Sequence, residues 1–226
     1  MITTNAIQRT FHIKIGESTG TCFTVDVDGR QYLVTAKHVV ENLNGACSIE
    51  IYHEKQWKSI DVTVVGHCDK GIDISVLTAN FQISPTHQLE PTSAGLVYGQ
   101  DVYFLGFPYG MSGELGEINS DFPLPFVKRA LVSNMIFEND THICFLDGHN
   151  NPGFSGGPVV FKEPGKQDYK VCSVISGYRY AKEPIYQGDN PVPLELRANT
   201  GIVITYGIQH AVDLIKSNPI GYALKV

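Results

Sequence analysis

Asn151-Pro152-Gly153-Phe154-Ser155-Gly156-Gly157-Pro158-Val159-Val160-Phe161 is the stretch from which the rest of the chain can be read. A single serine stands among three glycines and then an apolar segment begins. Glycine reaches backbone angles closed to other residues and lets a ligand come close to the main chain. Such a loop can expose the Ser155 hydroxyl and aim the N–H groups of Gly153 and Ser155 at one point. Acyl transfer needs both: a nucleophile, and donors facing the developing oxyanion. Pro158 opens the strand that would anchor the loop. Taken alone, the run also reads as a glycine-rich turn carrying a surface serine. Its meaning depends on partners elsewhere.

Outward from this loop, periodicity favours strands. Residues 10–15 alternate, and 22–27 and 31–35 flank Asp28-Gly29, a dipeptide suited to a tight hairpin because both positions tolerate positive φ. Further β-rich runs are 48–52, 60–65, 74–77, 102–107, 127–135, 143–146, 158–161, 171–176 and 201–206. Short strands separated by turn signals predict an all-β sandwich or barrel. Ile208, Ala211, Val212 and Ile215 share one helical face ahead of Pro219, which predicts a helix over about 208–217. A helical turn is expected after His38, through Val39, Val40 and Leu43. Residues 81–95, with Pro85, Pro91, Ser93 and Gly95, read as the connection between an N-terminal half (about 8–80) and a C-terminal half (about 97–207). A second long loop runs over 109–125.

Composition narrows the function. The chain has 226 residues, 42% of them hydrophobic, which is ample for a packed core, and a net charge of -6. An acidic balance argues against a general nucleic-acid binder, which needs a basic face to replace phosphate counterions. No run of eighteen apolar residues predicts a membrane span. The N-terminus lacks the basic start and apolar run of a secretory signal. The five cysteines, Cys22, Cys47, Cys68, Cys144 and Cys172, are odd in number and widely spaced. They read as free buried thiols of a reducing, cytoplasmic setting rather than a disulfide framework. No metal-ligand spacing or phosphate-binding loop appears, so no cofactor is expected.

The serine's partners are His38, at the end of the apolar run 33–36, and Asp73, which leads the apolar segment 74–77. A partly buried carboxylate is costly unless paired, and a histidine supplies that pairing. Asp69 is the competing acid. The chain order is His38, Asp73, Ser155, with gaps of 35 and 82 residues, which suits base and acid from one half and nucleophile from the other. It is the order of the chymotrypsin group rather than of subtilisins or α/β-hydrolases.

On these segments the chain resembles trypsin-like peptidases of the bacterial type, and in particular the protease domain of the high-temperature-requirement (Deg-type) family. The likeness runs through residues 20–25, 34–40, 64–77, Leu105-Gly106-Phe107-Pro108-Tyr109-Gly110, the loop 147–158 and the closing segment 200–204 with its helix. The resemblance implies two packed six-stranded antiparallel β-barrels with a C-terminal helix. It assigns His38 as general base, Asp73 as the acid that orients it, Ser155 as nucleophile, and the Gly153 and Ser155 N–H groups as the oxyanion hole. It also implies a protein or peptide substrate, with no nucleic acid or membrane partner, and leaves the oligomeric state open. The primary pocket would involve His149, Val174, Ser176 and Tyr178. His149 stands six residues before Ser155, where an Asp would select Lys or Arg. The expected preference is an uncharged side chain, or an acidic one if Arg179 or His149 attracts it. Phe154 replaces the Asp that receives a new N-terminus in animal zymogens, so that activation switch is not expected. As read, the sequence leaves no room for a PDZ-type module after the helix. The rival readings are a catalytically silent pseudoprotease that binds peptides, and an esterase or lipase, for which the strand-to-helix elbow is missing.

Overall fold

Asp28 and Gly29 take φ of 49° and 71°, and the hairpin they turn belongs to the first of two closed sheets in the computed structural model. That structure describes residues 2–69, 71–87 and 89–225. Met1 of the N-terminal stretch and Gln88 of the connection lie outside the described residues. The first barrel contains β1 (Thr10–Ile15), β2 (Ser18–Val27), β3 (Arg30–Thr35), β4 (Ala46–His53), β5 (Gln56–His67) and β6 (Ser75–Ala79). They pair in the order β3-β2-β1-β4-β5-β6, and a β3–β6 pairing closes the ring. After β7 (Glu90–Pro91) come β8 (Asp101–Gly106), β9 (Phe126–Glu138), β10 (Thr141–Asp147), β11 (Pro158–Phe161), β12 (Lys170–Gln187) and β13 (Asn190–Gly207). These follow the order β11-β8-β9-β10-β13-β12 and close through β11–β12, with β7 added beside β12. β14 (Tyr222–Ala223) returns to pair with β3. Among the described residues, three α-helices complete the fold: α1 (Thr4–Gln8), α2 (Lys37–Val40) and α3 (Gln209–Ser217). None of them is long and apolar enough to cross a membrane among the described residues.

Inward-facing residues of the alternating strands make three cores. Phe11, Ile13, Leu33, Ile49, Ile51 and Leu77 fill the first barrel. Val102, Phe104, Leu146, Phe154, Phe161 and Val203 fill the second. A third core lies in the seam between them, where Phe23, Val34 and Ile74 meet Leu105, Val160, Val174 and the α3 residues Ala211 and Ile215. The face of α3 inferred from its spacing is the face it buries in this seam.

The elements differ from the sequence reading in two main ways. α1 was not expected. β12 and β13 run far beyond 176 and begin well before 201, pairing down to Gln187↔Asn190. This distal ribbon has no core to face, and its residues are mostly exposed. It therefore lacks the apolar alternation that reveals a half-buried strand.

Candidate active site

The loop carrying Ser155 is moulded by its neighbours. Gly153 has φ of 102°, and a Cβ there would lie 2.2 Å from the Phe107 carbonyl oxygen. Gly156 has φ of 83°, and a Cβ would lie 2.1 Å from the Thr21 carbonyl oxygen. Only glycine fits either place. Thr21, on β2 of the other barrel, grips the loop from outside. Its N–H donates to Ser155 O (2.8 Å), and its hydroxyl donates to Gly153 O (2.7 Å) and accepts the Phe107 N–H (3.2 Å). The Tyr109 N–H donates to Pro152 O (2.9 Å). His12 of β1 stacks on the Phe107 ring at 5.1 Å, and burial pushes its pKa down to about 4. Phe154 is fully buried, edge-on to Phe104 at 5.0 Å, so it anchors the loop in the barrel interior. Among the hydrogen bonds of the described residues, none engages the N–H of Gly153 or of Ser155.

His38 lies on the short helix α2, and Asp73 lies in the turn before β6, where buried Ile72 and Ile74 flank it. His38 Nδ1 is 2.7 Å from Asp73 Oδ2. The His38 backbone N–H donates to Asp73 Oδ1 at 2.9 Å. The Ser176 hydroxyl donates to Asp73 Oδ2 at 2.6 Å. Asp69 is exposed, and its carbonyl accepts the Ile72 N–H. The hydrogen bond to Asp73 raises the His38 pKa above its usual value against the opposing effect of burial. For Asp73, burial pushes the pKa up, but the hydrogen bonds from His38 and Ser176 outweigh it and the net shift is downward. The pair is thus held as carboxylate beside a basic imidazole. The Ser155 hydroxyl donates to the Ser176 carbonyl (3.3 Å), and among the described residues it makes no hydrogen bond to His38.

Ser176 was expected on a pocket wall. A β-bulge explains where it sits. Pairing with β13 passes from Ile175↔Thr205 to Gly177↔Ile204, which leaves Ser176 out of register. The bulge turns its hydroxyl to Asp73 and its carbonyl to Ser155. Val174, also expected on the wall, is instead fully buried in the seam core, because it pairs inside the closed barrel with Pro158 and Tyr206. Tyr178 is half-buried beside Val203. His149 is exposed, and its carbonyl accepts Lys128 Nζ at 2.6 Å. Arg179 borders a cavity of about 420 Å³ with Asn134, Phe145 and Thr200. Sequence reasoning missed Thr21 and Asn150. Asn150 is buried and its Oδ1 has no partner among the described residues; its carbonyl accepts Asn199 Nδ2 at 2.8 Å. Neither residue carries a local sequence signal, since each acts through contacts distant in the chain. No group of three or more His, Cys, Asp or Glu side chains gathers at a metal-binding distance among the described residues.

A family model described as a trypsin-like peptidase domain matches residues 20–166. Protease Do-like 1, chloroplastic, from Arabidopsis thaliana is 29% identical over 154 residues, which is 66% of this chain and 31% of that protein. The chain thus spans about a third of that relative's length. Among solved structures, the HtrA-type protease AlgW with tripeptide superposes with a TM-score of 0.60 at 19% identity, covering 95% of this chain and 61% of that one. An inactive form of Rv3671c from M. tuberculosis H37Rv gives 0.59 at 17% identity, covering 94% and 87%. At such identities the structural likeness speaks for the fold.

Proposed function

The chain belongs to the trypsin-like peptidase domain family, and from that premise we propose that it is a serine endopeptidase with Ser155 as nucleophile, His38 as general base and Asp73 as the orienting acid. The observation that carries this reading is the two-point hold of Asp73 on His38, through Nδ1 and the backbone N–H. That hold fixes the tautomer in which Nε2 is free to take a proton. Ser155 turns from the Ser176 carbonyl to His38, gives up its proton and attacks the substrate carbonyl. The tetrahedral oxyanion meets the N–H groups of Gly153 and Ser155. His38 then protonates the leaving amine, and water, deprotonated by the same imidazole, releases the acyl-enzyme. We assign the enzyme to a reducing, cytoplasmic setting on the strength of its five free cysteines.

The resting bond from Ser155 to Ser176 favours a second reading, a silent binding module that keeps the fold without the chemistry. A fluorophosphonate probe separates the two. The expected result is labelling of Ser155, absent in Ser155→Ala and His38→Ala, with casein hydrolysis abolished in both variants and their melting temperatures unchanged. An unlabelled, inactive wild-type protein would establish the binding module instead.

A further inference from the structure

β9 enters the second barrel with a charge on its inner face. Ala130 and Val132 point inward from this strand, and Lys128 falls in phase with them, opposite the buried Phe104 of β8. Arg129, out of phase, lies outside and forks onto Asp101. Strand alternation alone would place an apolar residue at 128. A half-buried ammonium there is costly unless its donors are met. Among the described residues, Lys128 enters no ion pair with a carboxylate.

The contacts of Lys128 lie instead in the serine loop. Nζ donates to the His149 carbonyl (2.6 Å) and to Asn151 Oδ1, and it stands 5.3 Å from the centroid of the Phe154 ring. An ammonium has three donors and no acceptor. Two are taken by these oxygens, and the face of the ring attracts the charge. The three contacts bracket Pro152 and Gly153. Asn151 extends the hold, since its Nδ2 donates to the Tyr109 hydroxyl (3.3 Å), and the Tyr109 N–H ties down Pro152 O. Thr21 thus grips the loop from the first barrel and Lys128 grips it from within the second.

We propose that Lys128 is a positioning residue, whose ammonium holds residues 149–154 in the shape that presents the Gly153 N–H to the oxyanion of the substrate. The proposal rests on the endopeptidase reading. Lys128 acts through the loop and does not touch the substrate. Its charge is essential to the hold, because a neutral amine donates weaker hydrogen bonds and loses the attraction of the ring. The titratable groups around it are His149, which presents its carbonyl, and Tyr109, reached through Asn151; β8 presents the uncharged Phe104. Desolvation holds the Lys128 pKa below its ordinary 10.5, so the grip is complete at neutral pH and is lost as pH rises through that lowered value.

The test measures kcat and KM on fluorescein-labelled casein, and the rate of fluorophosphonate labelling, from about pH 7 to pH 11. Lys128→Met keeps a long stem and removes the charge. It should lower kcat and the labelling rate together by about 10- to 100-fold, less than the loss of a whole oxyanion donor, with KM held within about twofold. Lys128→Arg keeps a cation and its donors and should recover most of the rate. Because a guanidinium stays charged, the alkaline limb that the wild-type enzyme shows below pH 10.5 should move up in this variant. An unchanged kcat in Lys128→Met would overturn the proposal. So would a raised KM with kcat kept, which would put Lys128 at the substrate. If Lys128→Met fails to fold, the Arg variant decides alone, and an alkaline limb left at the wild-type midpoint overturns the proposal. If the fluorophosphonate probe fails to label wild-type Ser155, the endopeptidase reading itself falls and takes this proposal with it.

Discussion

His38 and Asp73 are tuned against one another. The hydrogen bond to Asp73 holds His38 above its ordinary pKa of 6.5. The hydrogen bonds that Asp73 receives hold it below its ordinary 3.8 despite burial. The raised imidazole contributes stability that is complete below pH 6.5 and is lost as pH rises through its folded value. The depressed carboxylate contributes stability that is present above pH 3.8 and is lost as pH falls through its folded value. The pair therefore supports the fold most between those limits, while a general base works above them. The acid limb of kcat/KM should have its midpoint above pH 6.5. Asp73→Asn should move that midpoint down and lower the rate by about 10⁴-fold, the loss this change causes in well-studied Ser-His-Asp hydrolases. An unmoved midpoint with near full activity would transfer the acid's role to another residue. Asp73 was legible as a candidate because an acid ahead of an apolar strand needs a partner. The choice over Asp69 was not, since it depends on Ile72 and Ile74 both turning inward.

The bulge at Ser176 in β12 sets the geometry that the sequence concealed. Periodicity located the strand over 171–176, but nothing in a string of residues marks where register slips by one. The slip at Ser176 gives Asp73 a hydroxyl donor and Ser155 a carbonyl acceptor. Ser176→Ala should lower kcat/KM by roughly 10- to 100-fold, the worth of a hydrogen bond to a charged group. It should also lower the midpoint of the acid limb, because Asp73 is then less strongly held as a carboxylate. Ser176→Thr, which keeps the hydroxyl, should restore both. Steady-state kinetics across pH check this, and an unchanged pH profile in the Ala variant would make Ser176 a packing residue. The glycine loop was the most legible element, because the angles and close approaches at Gly153 and Gly156 leave no other residue a place. The distal ribbon was the least, having no buried face to impose a pattern.

The whole molecule is two barrels pressed on a shared seam, with the connection between them tied down by one buried cation. Arg9 is 1% exposed. From just before β1 it forks onto Asp26 and donates to His87 O through Nε (3.0 Å) and Nη2 (2.7 Å), joining the start of the first barrel to β2 and the inter-barrel segment. Arg9→Met strands the Asp26 carboxylate and should cost about 3–5 kcal/mol. Arg9→Lys should rescue little, since an ammonium cannot reproduce the fork. Urea unfolding measures both, and a change below about 1 kcal/mol in Arg9→Met would refute this role. Strand spacing made an all-β sandwich or barrel readable in the sequence, the order of His38, Asp73 and Ser155 suited two halves, and the family resemblance supplied the two-barrel plan. Arg9 was not readable, because its partners are dispersed over 78 positions of chain.

Thr21 couples the two halves across 132 positions by holding the carbonyl of Gly153. The shape of the serine loop is therefore imposed by a barrel made earlier in synthesis, and the serine itself arrives late. A fragment clipped of the first barrel loses the Thr21 contacts that hold Gly153 and Ser155 in place. On the proposed reading, the serine loop takes the shape that hydrolysis requires only once these contacts between the two halves have closed.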